Sequence, residues 1–407
     1  MDIGSILETI GGILVALLAL MLMVTIHEAG HYTVGKLLKF KINEFAIGFG
    51  KAIFKKKMKS GEIFSIRILP LGGFCAFEGE DEDENEVKRD ENGAIIPNEG
   101  AFNNQKPWKR LLTLAAGAVF NFISAILIIA LTFTFYGDIL PCTEINSAYV
   151  SESSVFQDND IILSVDNVNF SFFSSSFSHT WSEGKHTAVV RRMGEDGKRY
   201  QTEVVFDGSD YGFIDSSSLE LYAYYAHINE KTIEGFDDFV FDGEKYKNYS
   251  MSQLESNYEM VNEIIQRGNC VTYSFYRVRF GFFSALGRGF ISCFRIAWLV
   301  ISTFVGLFTG STPISSLGGP ITVISTLGQS ATVSFGVLMY FVCLISANLA
   351  VFNLLPIPSL DGSRIIFVII EWLRGKPLNR KFEAIVHSAG LILMFAFAII
   401  IDLLKWV

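Results

Sequence analysis

Three residues near the N-terminus, His27, Glu28 and His31, stand in H-E-x-x-H spacing within Met21 to Lys36, MLMVTIHEAGHYTVGK. On a helix, side chains four apart lie one above the other, so two imidazoles can grip one metal ion. Glu28, between them in sequence, is placed to take a proton from a water activated by that metal. A hydrolytic metal site needs a third protein ligand and one open position. Asp361 is the first candidate. It closes the stretch NLLPIPSLDG, Asn353 to Gly362, in which Pro356 and Pro358 break a helix at the end of an apolar segment. Irregular backbone at membrane depth is tolerated only where it lines a cavity, and an ionisable residue there is a functional candidate. The plain structural reading is an Asp-Gly turn after a helix. His387 is a rival ligand with no helix break beside it, and Glu371 a remoter one.

The element that must carry the histidines is an apolar run, Ile10 to Ile26. As a helix it crosses about 24 Å of a hydrocarbon core about 30 Å thick. No Lys or Arg precedes it, whereas Lys36, Lys39, Lys41, Lys51 and Lys55 to Lys57 follow. The excess of positive charge on cytoplasmic loops puts the N-terminus outside and the metal near the cytoplasmic face. The start, MDIGSILETI, lacks the basic segment of a cleavable signal.

Composition agrees with a membrane protein. Half of the 407 residues are hydrophobic, and these cluster towards both ends around a polar middle, Tyr136 to Tyr276. A net charge of -9 argues against nucleic acid as a partner. Five scattered cysteines without a C-x-x-C pair predict no disulfide framework, with Cys142 and Cys270 the one pairing left open. His179, His186 and His227 in the polar middle have no ligand spacing.

Read in order, residues 1–36 hold the first transmembrane helix, and 37–110 a cytoplasmic, membrane-associated β-hairpin region with an acidic loop. Residues 111–136 form a second span, whose Ala115 to Ala118 make a small face for close packing and whose Asn121 reads as an interhelical hydrogen bond. Residues 137–282 form an extracytoplasmic α+β region. In it, strands around Glu195-Asp196-Gly197 make a hairpin, and Met251 to Arg267 a helix. Residues 283–316 read as an interfacial helix interrupted by Arg295, with a span over Ile291 to Thr309 as the alternative, 317–360 as the third span, 361–382 as a cytoplasmic loop rich in Lys and Arg, and 383–407 as the fourth span. The predicted fold class is therefore an α-helical polytopic membrane protein with about four transmembrane helices.

The sequence resembles the site-2 protease family of intramembrane zinc metalloproteases, in its bacterial branch with a PDZ domain between the second and third spans. The motifs that carry the resemblance are HEAGH at His27–His31, GFG at Gly48–Gly50, LPLGGF at Leu69–Phe74, RLLTLAAGAVFN at Arg110–Asn121, GGP at Gly318–Pro320 and NLLPIPSLDG at Asn353–Gly362. The resemblance implies that His27, His31 and Asp361 hold Zn2+ and that Glu28 is the general base. It also implies that Asn353 helps to hold the substrate, and that Gly48, Phe49 and Gly50 belong to a hairpin region that pairs with an unwound substrate strand. The substrates implied are single-span membrane proteins cut within or near the bilayer, such as anti-sigma factors or remnant signal peptides. It makes 137–282 PDZ-like, as one or two modules, with Asn159 where the PDZ stretch normally has Gly. Two other classes compete: a membrane metal transporter, which usually shows internal repeats and broken helices near mid-membrane, and a non-catalytic adaptor, against which the intact Glu28 speaks.

Overall fold

The computed structural model describes residues 3–80, 100–146, 148–172, 180–231, 241, 243–314 and 317–404. Two compact units result, Met1–Thr132 with Phe282–Val407, and Phe133–Gly281.

The first unit begins with α1 (Ile3–Leu37), which carries the H-E-x-x-H residues near its C-terminal end. Strands β1 (Ile42–Lys57) and β2 (Ile63–Phe77) follow, then α2 (Pro107–Phe135). The two strands are bent and pair with each other twice. Ile42 to Ile47 runs between Gly73 to Phe77 on one side and Ile63 to Ile66 on the other, and Phe54 to Lys57 covers the far side of Ile63 to Ile66. Two strands thus build a curled, four-ribbon sheet. Gly48, Gly50 and Gly72 sit at its bends with φ of 84°, 84° and 83°. Only glycine takes such angles without strain, so the GFG and LGG motifs are the corners of this sheet. Glu62 ties the sheet to α1, accepting hydrogen bonds from Lys36 Nζ at 2.7 Å and from the hydroxyls of Tyr32 and Ser60 at 2.9 Å each. Burial pushes its carboxyl up, but these donors prevail and hold it at about 2. Phe40, Ile42, Phe77, Phe102, Leu114 and Val368 fill the core beneath the sheet.

In the polar unit the hairpin around Glu195-Asp196-Gly197 and the helix after Ser250 form as their sequence pattern predicts, whereas the helices Ser216–Ile228 and Gly243–Tyr246 come in addition. After β3 (Asp138–Glu144), β4 (Ile161–Val165) and β5 (Val168–Asn169), β6 (Lys185–Met193) and β7 (Arg199–Asp207) make the expected antiparallel hairpin. β8 (Tyr211–Asp215), α3 (Ser216–Ile228), α4 (Gly243–Tyr246), α5 (Met251–Ile265) and β9 (Asn269–Val278) complete it. Ser250 and Gln253 cap α5 reciprocally. Strands from both halves share one seven-stranded sheet, in the order β7-β6-β4-β3-β9-β8 with β5 on β4, in which β8 and β9 pair in parallel. Cys142 and Cys270, like the other three cysteines, are free thiols. His186 pairs with Asp166 and His227 packs on Phe241, whereas His179 lies outside the described residues. Of the acidic loop, Glu78 pairs with Lys41 and Glu80 with Arg364, and 81–99 fall outside the described residues.

The remainder of the first unit comprises α6 (Phe282–Thr309), α7 (Pro320–Val333), α8 (Phe335–Leu354), α9 (Asp361–Arg374) and α10 (Arg380–Leu404). Three differences from the sequence reading stand out. First, among the described residues five helices are long and apolar enough to cross a membrane, and α6, read from the sequence as interfacial, is one of them. Second, 317–360 contains two helices, because Ser334 ends α7 and its hydroxyl caps α8 at Val337. Third, the expected loop 361–382 is mostly α9, an amphipathic helix with Asp361 at its first position and Gly375 in the left-handed region at its end. The chain is a multi-pass membrane protein. Ala16 and Met23 of α1 pack on Leu327 of α7 and on Leu338 and Val342 of α8. Asp402, near the end of α10, accepts from the Ile321 amide and the Thr322 hydroxyl at 2.9 Å each, so α10 caps α7.

Candidate metal centre

The site assembles where α1, α2 and the start of α9 meet. His27 and His31 are one turn apart on α1 and both buried. The His31 Nδ1–H donates to the Thr113 carbonyl of α2 at 2.8 Å. This fixes the ring and leaves Nε2 with a free lone pair, the tautomer a metal requires. Asp361 arrives from the other end of the sequence, because the Pro356–Pro358 break ends α8 and the chain turns into α9. Its Oδ2 lies 3.0 Å from His27 Nε2 and 3.3 Å from His31 Nε2, and the two Nε2 atoms are 3.1 Å apart.

These three distances test whether a metal fits. With bonds of about 2.0–2.1 Å, the corners of a tetrahedron lie roughly 3.3–3.4 Å apart. The observed triangle is within a few tenths of an ångström of one face of that figure, with both imidazoles turned by the same nitrogen. Among the described residues, these three are the group of His, Cys, Asp and Glu side chains whose ligand atoms converge. The rival ligands lie elsewhere. His387 Nδ1 accepts from the Ser359 amide at 3.1 Å and its ring packs on Phe367. Glu371 is committed to Arg110 of α2 at 2.6 Å, with the Leu378 amide at 2.9 Å and Arg380 at 3.4 Å. Burial pushes the Glu371 carboxyl up, and these partners more than offset that, leaving it below the usual carboxylate value. The stability it contributes is present above that usual value and lost as pH falls through the lowered one. This buried pair fastens α9, and with it Asp361, to α2.

The Cys75 backbone of β2 lies near the Glu28 carboxylate, and Gly73 lies beside its side chain. Gly48 to Gly50, at the bend of β1, face Arg67 and Leu69 instead. The part of the sheet beside Glu28 is thus Gly73 to Phe77, whose ladder partners, Ile42 to Ile47, all lie on one side. Asn353 sits against His27, its Nδ2 at 3.3 Å from each ring nitrogen.

Several participants give no side-chain signal in the sequence. Thr113 acts through its carbonyl. Gly117 acts by lacking a Cβ, which would lie 2.5 Å from His31 Nε2 and 2.6 Å from His27 Cε1. The neighbouring crossing is as close, since a Cβ on Gly30 would lie 2.5 Å from the Ala116 carbonyl oxygen. The helices cannot slide apart to admit a methyl group without breaking the His31–Thr113 bond. Gly117→Ala is therefore expected to weaken zinc binding by at least about tenfold, the scale of losses from disturbed ligand orientation. Competition against a chromophoric chelator measures this.

A protein-family comparison places the chain. The model of peptidase family M50 matches residues 15–397, nearly the full length, so the chain belongs to that family, the site-2 proteases, and is a metalloprotease. Full-length relatives agree. "Regulator of sigma E protease" of Haemophilus influenzae is 24% identical, the match covering 96% of this chain and 98% of the relative. A Clostridium perfringens protein named "Putative zinc metalloprotease" is 28% identical over 96% of this chain and 97% of its own. A Pasteurella multocida protein of the same name is 25% identical over 96% and 98%.

Proposed function

We propose that this protein is an intramembrane zinc endopeptidase that cuts single-span membrane proteins within or near the bilayer. The observation that carries this reading is the convergence of His27, His31 and Asp361 on one point at the end of a membrane-length helix, with Glu28 beside it. The cofactor is Zn2+, in keeping with the relatives' names. When bound, it supplies Lewis acidity to the attacking water and to the scissile carbonyl.

The chain's own residues do the rest. Glu28 takes the proton of the attacking water and returns it to the leaving amine. The Gly73–Phe77 segment of β2 lies beside the Glu28 carboxylate. A peptide bond inside a transmembrane helix is hydrogen-bonded and shielded, so the substrate must unwind first. The edge Gly73 to Phe77, one pairing side of which is unused by the β1–β2 ladder, offers that segment a strand to pair with. Gly48 and Gly50 give this sheet its curl, and exposed Phe49, Ile53, Phe54, Ile68 and Leu69 give it an apolar rim suited to dipping into lipid. Asn353, against His27, is placed to hold the substrate near the metal.

By the charge bias of the loops, the N-terminus and the PDZ-like region 137–282 lie outside the cell membrane and the metal near its cytoplasmic face. The outer region serves as a size or access filter. The name of the Haemophilus relative suggests substrates that control a sigma factor, with membrane-bound anti-sigma factors as the class.

The test is cleavage by full-length protein in liposomes of a single-span substrate, with the product termini mapped by mass spectrometry. Cuts inside the apolar segment, or within a few residues of it, are expected. Cuts confined to polar loops, with the apolar segment intact, would contradict the reading. Zinc uptake by the same vesicles that survives Glu28→Gln would favour the transporter instead.

A further inference from the structure

Asn121 lies at the middle of α2, fully buried, where α2 meets α8. Its backbone carbonyl accepts from the hydroxyls of Ser124 at 2.9 Å and Ser346 at 3.1 Å, which pins the residue at the crossing. Its side chain faces the metal centre, with Nδ2 at 3.4 Å from His27 Nδ1. Its Oδ1 is buried without a hydrogen-bond partner. A second amide group, Asn353 Nδ2, lies at 3.3 Å from the same ring nitrogen.

Two amide donors therefore crowd one imidazole nitrogen while a buried acceptor stands idle. The arrangement suits a His27 whose Nδ1 is a bare acceptor. It does not suit a His27 that binds metal. The convergence of Nε2 with His31 and Asp361 makes Nε2 the ligand atom, and the neutral ring then carries its proton on Nδ1. That N–H needs an acceptor, and a metal-bound imidazole is a strong donor. Turning the Asn121 amide by 180° exchanges Oδ1 and Nδ2 and moves no other atom. It supplies the acceptor and gives the idle oxygen a partner.

We infer that Asn121 is the positioning residue of His27: in the metal-loaded protein its Oδ1 accepts from His27 Nδ1–H, as the Thr113 carbonyl does for His31. The inference rests on the ligand set proposed above. Each imidazole is then oriented from the same neighbour, α2, one by a backbone carbonyl and the other by a side-chain carbonyl. Asn353 is left free to turn towards the substrate.

The test measures zinc affinity of the full-length detergent-solubilised protein by chelator competition, with the melting temperature of the zinc-free protein recorded alongside. Asn121→Leu, which removes the acceptor, is expected to lose 10- to 100-fold in affinity, the usual cost of deleting a group that orients a metal ligand. Asn121→Asp, which keeps an acceptor at the same place, is expected to stay within about threefold of the wild type while the zinc-free melting temperatures of both variants agree. Unchanged affinity in Asn121→Leu overturns the inference, as does a loss in Asn121→Asp equal to that in Asn121→Leu. Should Asn121→Leu not fold, Asn121→Asp alone decides, and a tenfold loss there overturns it. His27→Ala in the same assay separates the two levels: if it binds zinc normally the ligand set itself fails, whereas if only His27→Ala loses zinc the ligand set stands and the role of Asn121 fails.

Discussion

Glu28→Gln is expected to abolish cleavage, by about 10³-fold or more, while the protein keeps its zinc. General acid–base catalysis is worth about 10²–10⁴-fold, and here one carboxylate serves twice, taking a proton from water and delivering it to the amine. Glutamine has the same shape, and the sheet stays fastened to α1 through Glu62. It cannot accept the proton. Glu28 is also outside the triangle of ligand atoms, so zinc content should be unchanged. Two measurements are needed, rate on a single-span substrate and zinc per chain. A rate within tenfold of the wild type would mean that another group is the base. Loss of zinc together with activity would mean that Glu28 acts as a ligand or as a structural prop.

The parts of this site legible in the sequence are those whose side chains do the chemistry. The H-E-x-x-H spacing places His27, Glu28 and His31 on one helix by periodicity alone. Two prolines and an Asp-Gly mark the break at which Asp361 enters. The partners that act through backbone are silent, because any residue has a carbonyl and an amide. Thr113 is of this kind. Gly117 sits in a stretch that reads as a small packing face, and the packing is there, but what it packs against is the pair of imidazoles of His27 and His31. Asn121 reads as an interhelical hydrogen bond. It is one, and its neighbour turns out to be His27.

The fold shows the same division. Periodicity and turn residues give the β6–β7 hairpin and the α5 helix of the polar unit. GFG marks a turn-like region but not the doubled pairing of β1 and β2, which depends on contacts between ribbons distant along the chain. α9 is concealed because its Lys and Arg neighbours draw attention to charge, while its apolar positions recur at helical spacing. α6 carries Arg295 in an apolar run and reads as interfacial because a span there would reverse the direction of the next one, while its 28 residues are long enough to cross.

The third ligand carries the central claim, since two histidines at this spacing supply only two of the three protein ligands a hydrolytic metal site needs. Asp361 enters from a segment 330 residues after His31, and nothing local forces the two together. The ion pair of Arg364 with Glu80 and the buried pair Arg110–Glu371 hold its helix in place independently of any metal. Removing the carboxylate should therefore leave the helix docked and empty the site. The direct measurement is zinc per chain in purified full-length Asp361→Ala beside His387→Ala and the wild type. The predicted result is about one zinc in the wild type and in His387→Ala, and less than about one-tenth in Asp361→Ala, because two imidazoles alone make an incomplete and weak site. Full zinc occupancy in Asp361→Ala, or loss of zinc in His387→Ala with a normally folded chain, would contradict the account.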